Sequence, residues 1–345
     1  MNFEQNARDL KVALILCGLS SLVMAICQHG YFNADFVAYA SVAHRCLEQP
    51  AKSITGAWAP LFSWAMAPLI AFGINDLVAG RIVLWVTSLG YVMAVYSLCN
   101  RWLPESGRAM RSAVLVAAVL QSVLFSGWLL DPDLLGCALL FACLAGMSAP
   151  TLFQSSLRPL CCGAVGGLAY LGKAYMLPVL LLLVPLLVWH QHRRIRAQLW
   201  PMCRTLACFL LGFILVGGPW IAVLSEHYGR LLFSTAGPNN HANFGPQAIL
   251  IDAMWNPPLG LHYILDPHYE PDWSPFASID LFIYQMKLSG RNLLRMLGHL
   301  AGWLLLIVVA CLRRRPRVAS GDAARLDPEE RSVAWLSIVM AALYS

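Results

Sequence analysis

The sequence predicts an all-α polytopic membrane protein, and three observations lead to this fold class. Of the 345 residues, 59% are hydrophobic and only 12% are charged, whereas soluble domains are about 45–50% apolar and about 25% charged. Several apolar runs exceed the roughly 18 residues that mark a membrane-spanning helix. Alternation typical of barrel strands is not seen, so helices are expected to satisfy the backbone hydrogen bonds in lipid.

Apolar segments divide the chain into a main membrane module, residues 1–312, and a short remainder. The predicted spans are 11–27, 79–99, 111–125, 134–149, 159–175, 176–189, 202–224 and 293–312. Segment 313–331 is charged and contains prolines, which predicts a cytoplasmic linker. A last apolar run, 332–345, is too short to cross, so we expect it to be the start of a further, truncated span.

Segment 58–73 is apolar but short, and it contains Pro60 and Pro68. If it crossed the membrane, nearly all arginine-rich connections would lie outside. If it lies on the outer surface, they all lie inside, which agrees with the excess of Lys and Arg in cytoplasmic loops. Residues 29–78 are therefore predicted to form one outer loop with two surface helices, and residues 225–290 a second, longer outer loop.

Charge and cysteine usage exclude several other classes of protein. The net charge is +6, but the basic residues are grouped between apolar runs, where they set membrane orientation, and no nucleic-acid-binding module is seen. Most of the 11 cysteines lie inside apolar runs and none has C-x-x-C spacing. Neither a zinc site nor a disulfide framework is predicted.

Asp35 is the first acidic side chain after the first span and is the main candidate for catalysis. Asn33 is expected to cap a helix start, which places Asp35 in the first turn. Phe36, Ala40 and Ala43 follow the spacing of a helix lying on a membrane surface, which places Tyr39 on the polar side of that helix. Asp35 is interpreted either as a general base at the lipid boundary or as a charge that only complements the helix dipole.

Four further charged residues fall at the same predicted face. Asp131 and Asp133 flank Pro132 and are interpreted either as a binding site for a divalent cation or a diphosphate–metal unit, or as a helix-capping turn. Lys173 lies inside an apolar stretch, where it either neutralises a lipid phosphate or extends to the interface. Arg81 is likewise interpreted either as a contact for a lipid phosphate or as a structural residue, in its case paired with Asp76.

The second outer loop is rich in polar and aromatic side chains, of which His241 is taken as a candidate substrate contact. The histidine spacing gives no metal motif, so a structural or substrate-contacting loop is favoured over a metal site. Its aromatic residues fit either a sugar face or the headgroup level of the membrane. The residues in question are His227, His241, His262, His268, Asp252, Asp266, Glu270, Asp272, Trp255, Tyr263, Tyr269 and Trp273.

The order of these short motifs resembles that of the GT-C glycosyltransferases, especially the aminoarabinose lipid A transferases and protein O-mannosyltransferases. The resemblance covers about residues 10–245. It rests on Asp35-x-x-x-Tyr39-Ala40, Trp58-Ala59-Pro60-Leu61, Phe72-Gly73-x-Asn75 with Arg81, Leu130-Asp131-Pro132, Gly172-Lys173 and Pro219-Trp220.

The resemblance implies a GT-C-like helical bundle that transfers a sugar, with inversion, from a polyprenyl-phosphate donor to a lipid, protein or glycan acceptor outside the cytoplasm. The carboxylates matching Asp35 and Asp131 would be catalytic. The substrate-binding set would comprise Tyr39, Arg81, Asp133, Lys173 and His241. No cofactor is certain, and a divalent cation is left open.

The sequence departs from the family pattern at two positions. Phe36 stands where many relatives carry a second acid, and Ala59 stands where the aminoarabinose transferases have a lysine, which shifts the expected phosphate contact to Lys173 and Arg81. The expected location is a bacterial inner membrane with the site on the non-cytoplasmic face. A transporter or flippase for a lipid-linked solute, and a non-catalytic relative, are the alternatives; paired broken helices, typical of transporters, are not evident.

Overall fold

The computed structural model describes residues 3–28, 30–102, 108–130, 132–195, 199–243, 246 and 273–294. Across these ranges every regular element is helical. Four helices are long and apolar enough to span a membrane, within Ala7–Cys27, Asp76–Trp102, Met176–Arg193 and Leu199–His227. The predicted all-α fold is therefore confirmed for the described residues, and the four long apolar helices agree with a multi-pass membrane protein. Asp131, residues 244–245 and 247–272 of the second outer loop, the linker 313–331 and the last run 332–345 lie outside the described residues.

Seven predicted spans, from 11–27 to 202–224, each coincide with one helix. The helices are α1 (Phe3–Cys27), α2 (Ala34–Glu48), α3 (Pro60–Ala71), α4 (Asp76–Trp102), α5 (Arg108–Val123), α6 (Asp133–Met147), α7 (Leu157–Gly172), α8 (Met176–Ile195), α9 (Leu199–His227), α10 (Ala236–Asn243) and α11 (279–294). The eighth predicted span, 293–312, falls almost entirely outside the described residues. The predicted surface helices correspond to α2 and α3, the second of which starts at Pro60, where a missing N–H costs nothing.

One end of the bundle, called here the upper end, joins the end of α1, the start of α4 and the end of α5. Arg81 makes this junction by donating hydrogen bonds to the carbonyl oxygens of Gln28, Tyr31 and Gly127. Because α1 ends and α4 begins at the same end, the intervening α2 and α3 do not carry the chain across the bundle. This path agrees with an outer first loop that bears two surface helices.

The opposite end of the bundle, called the lower end, joins the ends of α4, α6 and α8 and the start of α9. Trp102 Nε1 at the end of α4 donates to Ser148 Oγ after α6 at 2.7 Å. Gln191 near the end of α8 donates to Met147 O at 2.9 Å, and Arg204 near the start of α9 donates to Phe153 O at 2.6 Å. The long helices therefore alternate in direction from α4 to α9.

Glycines allow α7 and α9 to pack with their backbones in close contact. A Cβ atom at Gly163 would lie 1.9 Å from Phe209 O, and one at Gly212 would lie 2.0 Å from Leu160 O. Gly163 and Gly167 have the four-residue spacing by which small residues bring membrane helices together. This crossing fixes the end of α7, where Lys173 is found.

A second cluster of buried side chains holds α2 and α3 against the upper end. Phe36, Tyr39, Phe62, Leu84 and Leu130 all belong to it. Phe36 packs over a glycine of α4, where an added Cβ would lie 2.4 Å from its ring. As a result, the first turn of α2, which contains Asp35, is anchored beside α4 and the turn before α6.

Candidate functional site

Asp35 lies in the first turn of α2, as predicted. Asn33 caps the helix, its Oδ1 accepting a hydrogen bond from Asp35 N at 3.1 Å. This cap commits the chain to helix at Ala34, so the neighbouring carboxylate is half-buried at the positive end of the helix dipole.

The charges around Asp35 come from two other elements. Burial raises the pKa of the Asp35 carboxyl, the Lys173 ammonium opposes this rise, and the Asp133 carboxylate adds to it. Lys173 follows α7 and Asp133 begins α6, so the fold brings together three charged residues that are far apart in the chain. A carboxylate with a raised pKa is a stronger proton acceptor, which suits a general base.

Lys173 and Asp133 form an ion pair, and their side chains are 24% and 22% exposed. Lys173 ends α7 in an extended conformation, and its N–H still donates to Ala169 O at 2.9 Å. The approach depends on Gly136 and Gly172: an added Cβ at Gly172 would lie 3.4 Å from Gly136 N, and one at Gly136 would lie 3.1 Å from Lys173 Cβ. The sequence placed both ionic residues at this face but did not predict their pairing.

The backbone immediately before Asp131 is unusual. One π-helical turn, Leu124–Leu129, leads into Leu130, which has φ 46° and ψ 47° and a fully buried side chain. Left-handed non-glycine residues and π-turns cluster at functional sites, where surrounding packing compensates their cost. Leu130 packs in the same cluster as Phe36 and Tyr39. The second predicted catalytic residue, Asp131, lies outside the described residues.

Arg81 is buried and bonded to the backbone. Its Nη1 donates to Gly127 O at 3.2 Å, and its Nη2 donates to Tyr31 O at 3.1 Å and to Gln28 O. Asp76, the partner considered for it, instead faces His44, with an Nε2–Oδ1 distance of 3.0 Å. Arg81 therefore acts first as a junction between α1, α4 and the turn after α5; a phosphate contact stays a prediction.

No known protein family, curated protein or solved structure matches this chain. The site is therefore interpreted from its own residues. In the described part of the chain, no group of three His, Cys, Asp or Glu side chains could hold a metal ion. In the predicted pair of carboxylates, Asp133 forms an ion pair with Lys173, and Asp131 lies outside the described residues.

Two predicted substrate contacts are placed in packing roles. Tyr39 is 1% exposed, and its ring meets those of Trp58 and Phe62 edge-on at 5.2 and 5.6 Å. The spacing had placed this side chain on the polar face of α2, but the aromatic surface of α3 covers it. The ring of Tyr39 therefore stabilises the α2–α3 contact and is not open to a substrate.

His241 stacks on Trp273 with 4.2 Å between ring centroids, and the two residues exchange hydrogen bonds between side chain and backbone. This contact joins α10 to the segment that precedes α11. None of the contacts seen for His241 reaches the charged group around Asp35.

Sequence patterns missed the contacts that hold the first outer loop to the chain after α9. Gly56 O accepts from Thr235 N and from Ser234 Oγ, both at 2.8 Å, and Gly56 N donates to the hydroxyl of Tyr228 at 3.0 Å. Tyr170 adds a bond from its hydroxyl to Phe233 O at 2.7 Å. The one local signal for these contacts was the glycine at position 56. A Cβ atom at this position would lie 2.7 Å from Thr235 Cγ2, so a larger residue would not fit.

Proposed function

We propose that this protein is a GT-C-like membrane glycosyltransferase that moves a sugar from a polyprenyl-phosphate donor to an acceptor hydroxyl on the outer face of the membrane. The observation that carries the proposal is the half-buried carboxyl of Asp35, at a capped helix start, in the electrostatic field of the Lys173–Asp133 pair. A proton acceptor and a cation close together are what such a transfer needs.

The proposed orientation follows from charge. Arginines at the lower end include Arg101, Arg158, Arg193 and Arg204, which come from four different helices. The excess of arginine in cytoplasmic segments then assigns the lower end to the cytoplasm. The upper end, with Asp35, faces outward, where polyprenyl-linked sugars meet extracytoplasmic acceptors.

In the proposed reaction, the Asp35 carboxylate accepts the proton of the acceptor hydroxyl. The oxygen attacks the anomeric carbon, and the bond between that carbon and the donor phosphate oxygen breaks, so the configuration inverts. Polyprenyl phosphate leaves with an additional negative charge. The positive charge of Lys173, which acts on Asp35, would stabilise that negative charge.

The surroundings of the site suit a donor with a lipid tail. Tyr31, Phe32 and Trp64 are 40–45% exposed, and Phe72 is 85% exposed, all within the first outer loop. Aromatic side chains of this kind favour the membrane–water boundary. A donor held there would present its phosphate and sugar at the depth of α2.

The direct test compares Asp35→Asn with Glu48→Gln, which neutralises an exposed acid on the same helix. Each purified full-length variant is given a panel of polyprenyl-phosphate sugars, and released carrier is measured. We expect Asp35→Asn to lower turnover about 10²- to 10⁴-fold, the usual contribution of a general base, and Glu48→Gln to leave it nearly unchanged. Equal turnover by Asp35→Asn would remove this residue from the mechanism. Movement of lipid-linked sugar across liposomes without release of carrier would favour a flippase.

A further inference from the structure

The lower end contains three arginines that converge on the last turn of α6 and on the connection from α6 to α7. Arg101 at the end of α4 donates to Ala145 O, Arg158 at the start of α7 donates to Thr151 Oγ1, and Arg204 in α9 donates to Phe153 O. Arg101 and Arg158 lie within electrostatic range of each other. We call these three residues the lower arginine cluster.

Positive charge in this cluster is not balanced within the described residues. None of the three guanidinium groups forms an ion pair with a described acidic side chain, and the Nε of Arg204 is buried without a hydrogen-bond partner. A guanidinium has five N–H donors, and each of the three donates one hydrogen bond to the described protein. Donors are therefore left over for an external anion.

Exposed apolar side chains lie next to the cluster. Leu157 directly precedes Arg158 and is 66% exposed; Trp200 lies one helical turn before Arg204 and is 72% exposed. Arg101 and Arg158 are themselves exposed, and Trp102 is adjacent in the chain. An anion bound here would lie at the membrane–water boundary with apolar surface beside it, which matches a phospholipid better than a free ion.

We propose that the lower arginine cluster binds the phosphate headgroup of an anionic phospholipid, whose acyl chains cover the start of α7 and α9. This site lies at the opposite end of the bundle from Asp35 and does not depend on the proposed reaction. The lipid links three helices that converge on one turn, so its binding stabilises the folded bundle by mass action.

The test uses the full chain in neutral detergent, titrated with phosphatidylglycerol or phosphatidylcholine of identical acyl chains. Bound lipid is counted by native mass spectrometry, and thermal unfolding is followed in parallel. Wild-type protein is expected to prefer phosphatidylglycerol and to unfold at a higher temperature with it. In the double variant Arg101→Gln/Arg158→Gln, the ratio of the affinity for phosphatidylglycerol to that for phosphatidylcholine should fall about fivefold for each arginine replaced.

The matched control is Arg45→Gln/Arg230→Gln, which removes two positive charges from the upper end and should retain the preference. Because the lower-end variant could fail to fold, wild-type protein is also tested at about 1 M salt, where the Debye length of about 3 Å should remove the preference. The proposal would be overturned if the wild-type protein bound the two lipids equally. It would also be overturned if the control variant lost as much of the preference for phosphatidylglycerol as the lower-end variant. Stabilisation by inorganic phosphate alone to the same extent would also overturn it, because the ligand would then be a free anion.

Discussion

At the residue scale, two opposite charges act on the proton affinity of Asp35. Lys173 lowers the pKa of this carboxyl and Asp133 raises it, while burial gives a net rise. The two neighbours are bonded to each other, so replacing either one changes the field at Asp35 in a defined direction. This arrangement makes the pH dependence of the proposed transfer a sensitive probe of the site.

We expect Lys173→Met and Asp133→Asn to move the pH profile in opposite directions. The reactive form of Asp35 is the carboxylate, so activity falls as the pH drops through its pKa. Lys173→Met removes the lowering charge and should move this loss to higher pH; Asp133→Asn removes the raising charge and should move it to lower pH. Lys173→Met should also reduce kcat about 10²- to 10³-fold if it stabilises the leaving phosphate. The measurement is kcat/KM against pH, and shifts in the same direction would contradict this assignment.

Asp35→Asn should lose activity without losing stability. Burial raises the pKa of Asp35 in the folded protein above its value in the unfolded chain. The favourable contribution to folding is therefore present below the unfolded pKa and is lost as the pH rises through the folded pKa. At neutral pH the ionised carboxyl disfavours the fold, so thermal unfolding of Asp35→Asn should occur at the same or a higher temperature. A clear decrease would indicate that the carboxylate itself holds the structure together.

At the element scale, the crossing of α7 and α9 determines where Lys173 lies. Gly163→Ala places a Cβ atom against the carbonyl oxygen of Phe209, a backbone atom that cannot move away. We expect a loss of at least about 2 kcal/mol in the free energy of unfolding. Gly90→Ala in α4 is the matched control, since nothing lies within 4 Å of its Cβ position, and it should gain about 0.5–1 kcal/mol from helix propensity. If Gly163→Ala and Gly90→Ala change thermal or SDS unfolding equally, then α7 and α9 are not in close backbone contact at Gly163.

For the surface helices α2 and α3, the sequence predicted where each helix forms but not which side of α2 is buried. Proline at the start of α3 and Asn33 before α2 are local signals, and both helices form where these signals place them. Local spacing assigned Tyr39 to the polar side of α2, yet this residue is among the most deeply buried. The reason is that α3 covers this side of α2, and its position could not be known from the spacing of α2 alone.

At the scale of the whole molecule, the proposed orientation can be tested through two cysteines. Cys46 belongs to α2 at the upper end, and Cys203 belongs to the first turns of α9 at the lower end and is exposed. In a background without the other cysteines, a membrane-impermeant thiol reagent added to intact cells should label Cys46. Cys203 should react only after the membrane is opened. The reverse pattern would invert the assignment of the basic end to the cytoplasm.

The sequence by itself determined that this chain is helical with segments apolar enough to span a membrane, where seven of those segments and the two surface helices lie, and that Asp35 follows a capping residue at a helix start. These features depend on hydropathy and on contacts between neighbours in the chain, and both can be read from short stretches of sequence. The tertiary structure alone decided that Lys173 pairs with Asp133 beside Asp35, that Arg81 bonds three backbone carbonyls, and that Tyr39 is enclosed. Those contacts join residues about 20 to 140 positions apart, so they form only when packing brings separate helices together, and the pair of Lys173 and Asp133 also needs the close approach that glycines allow.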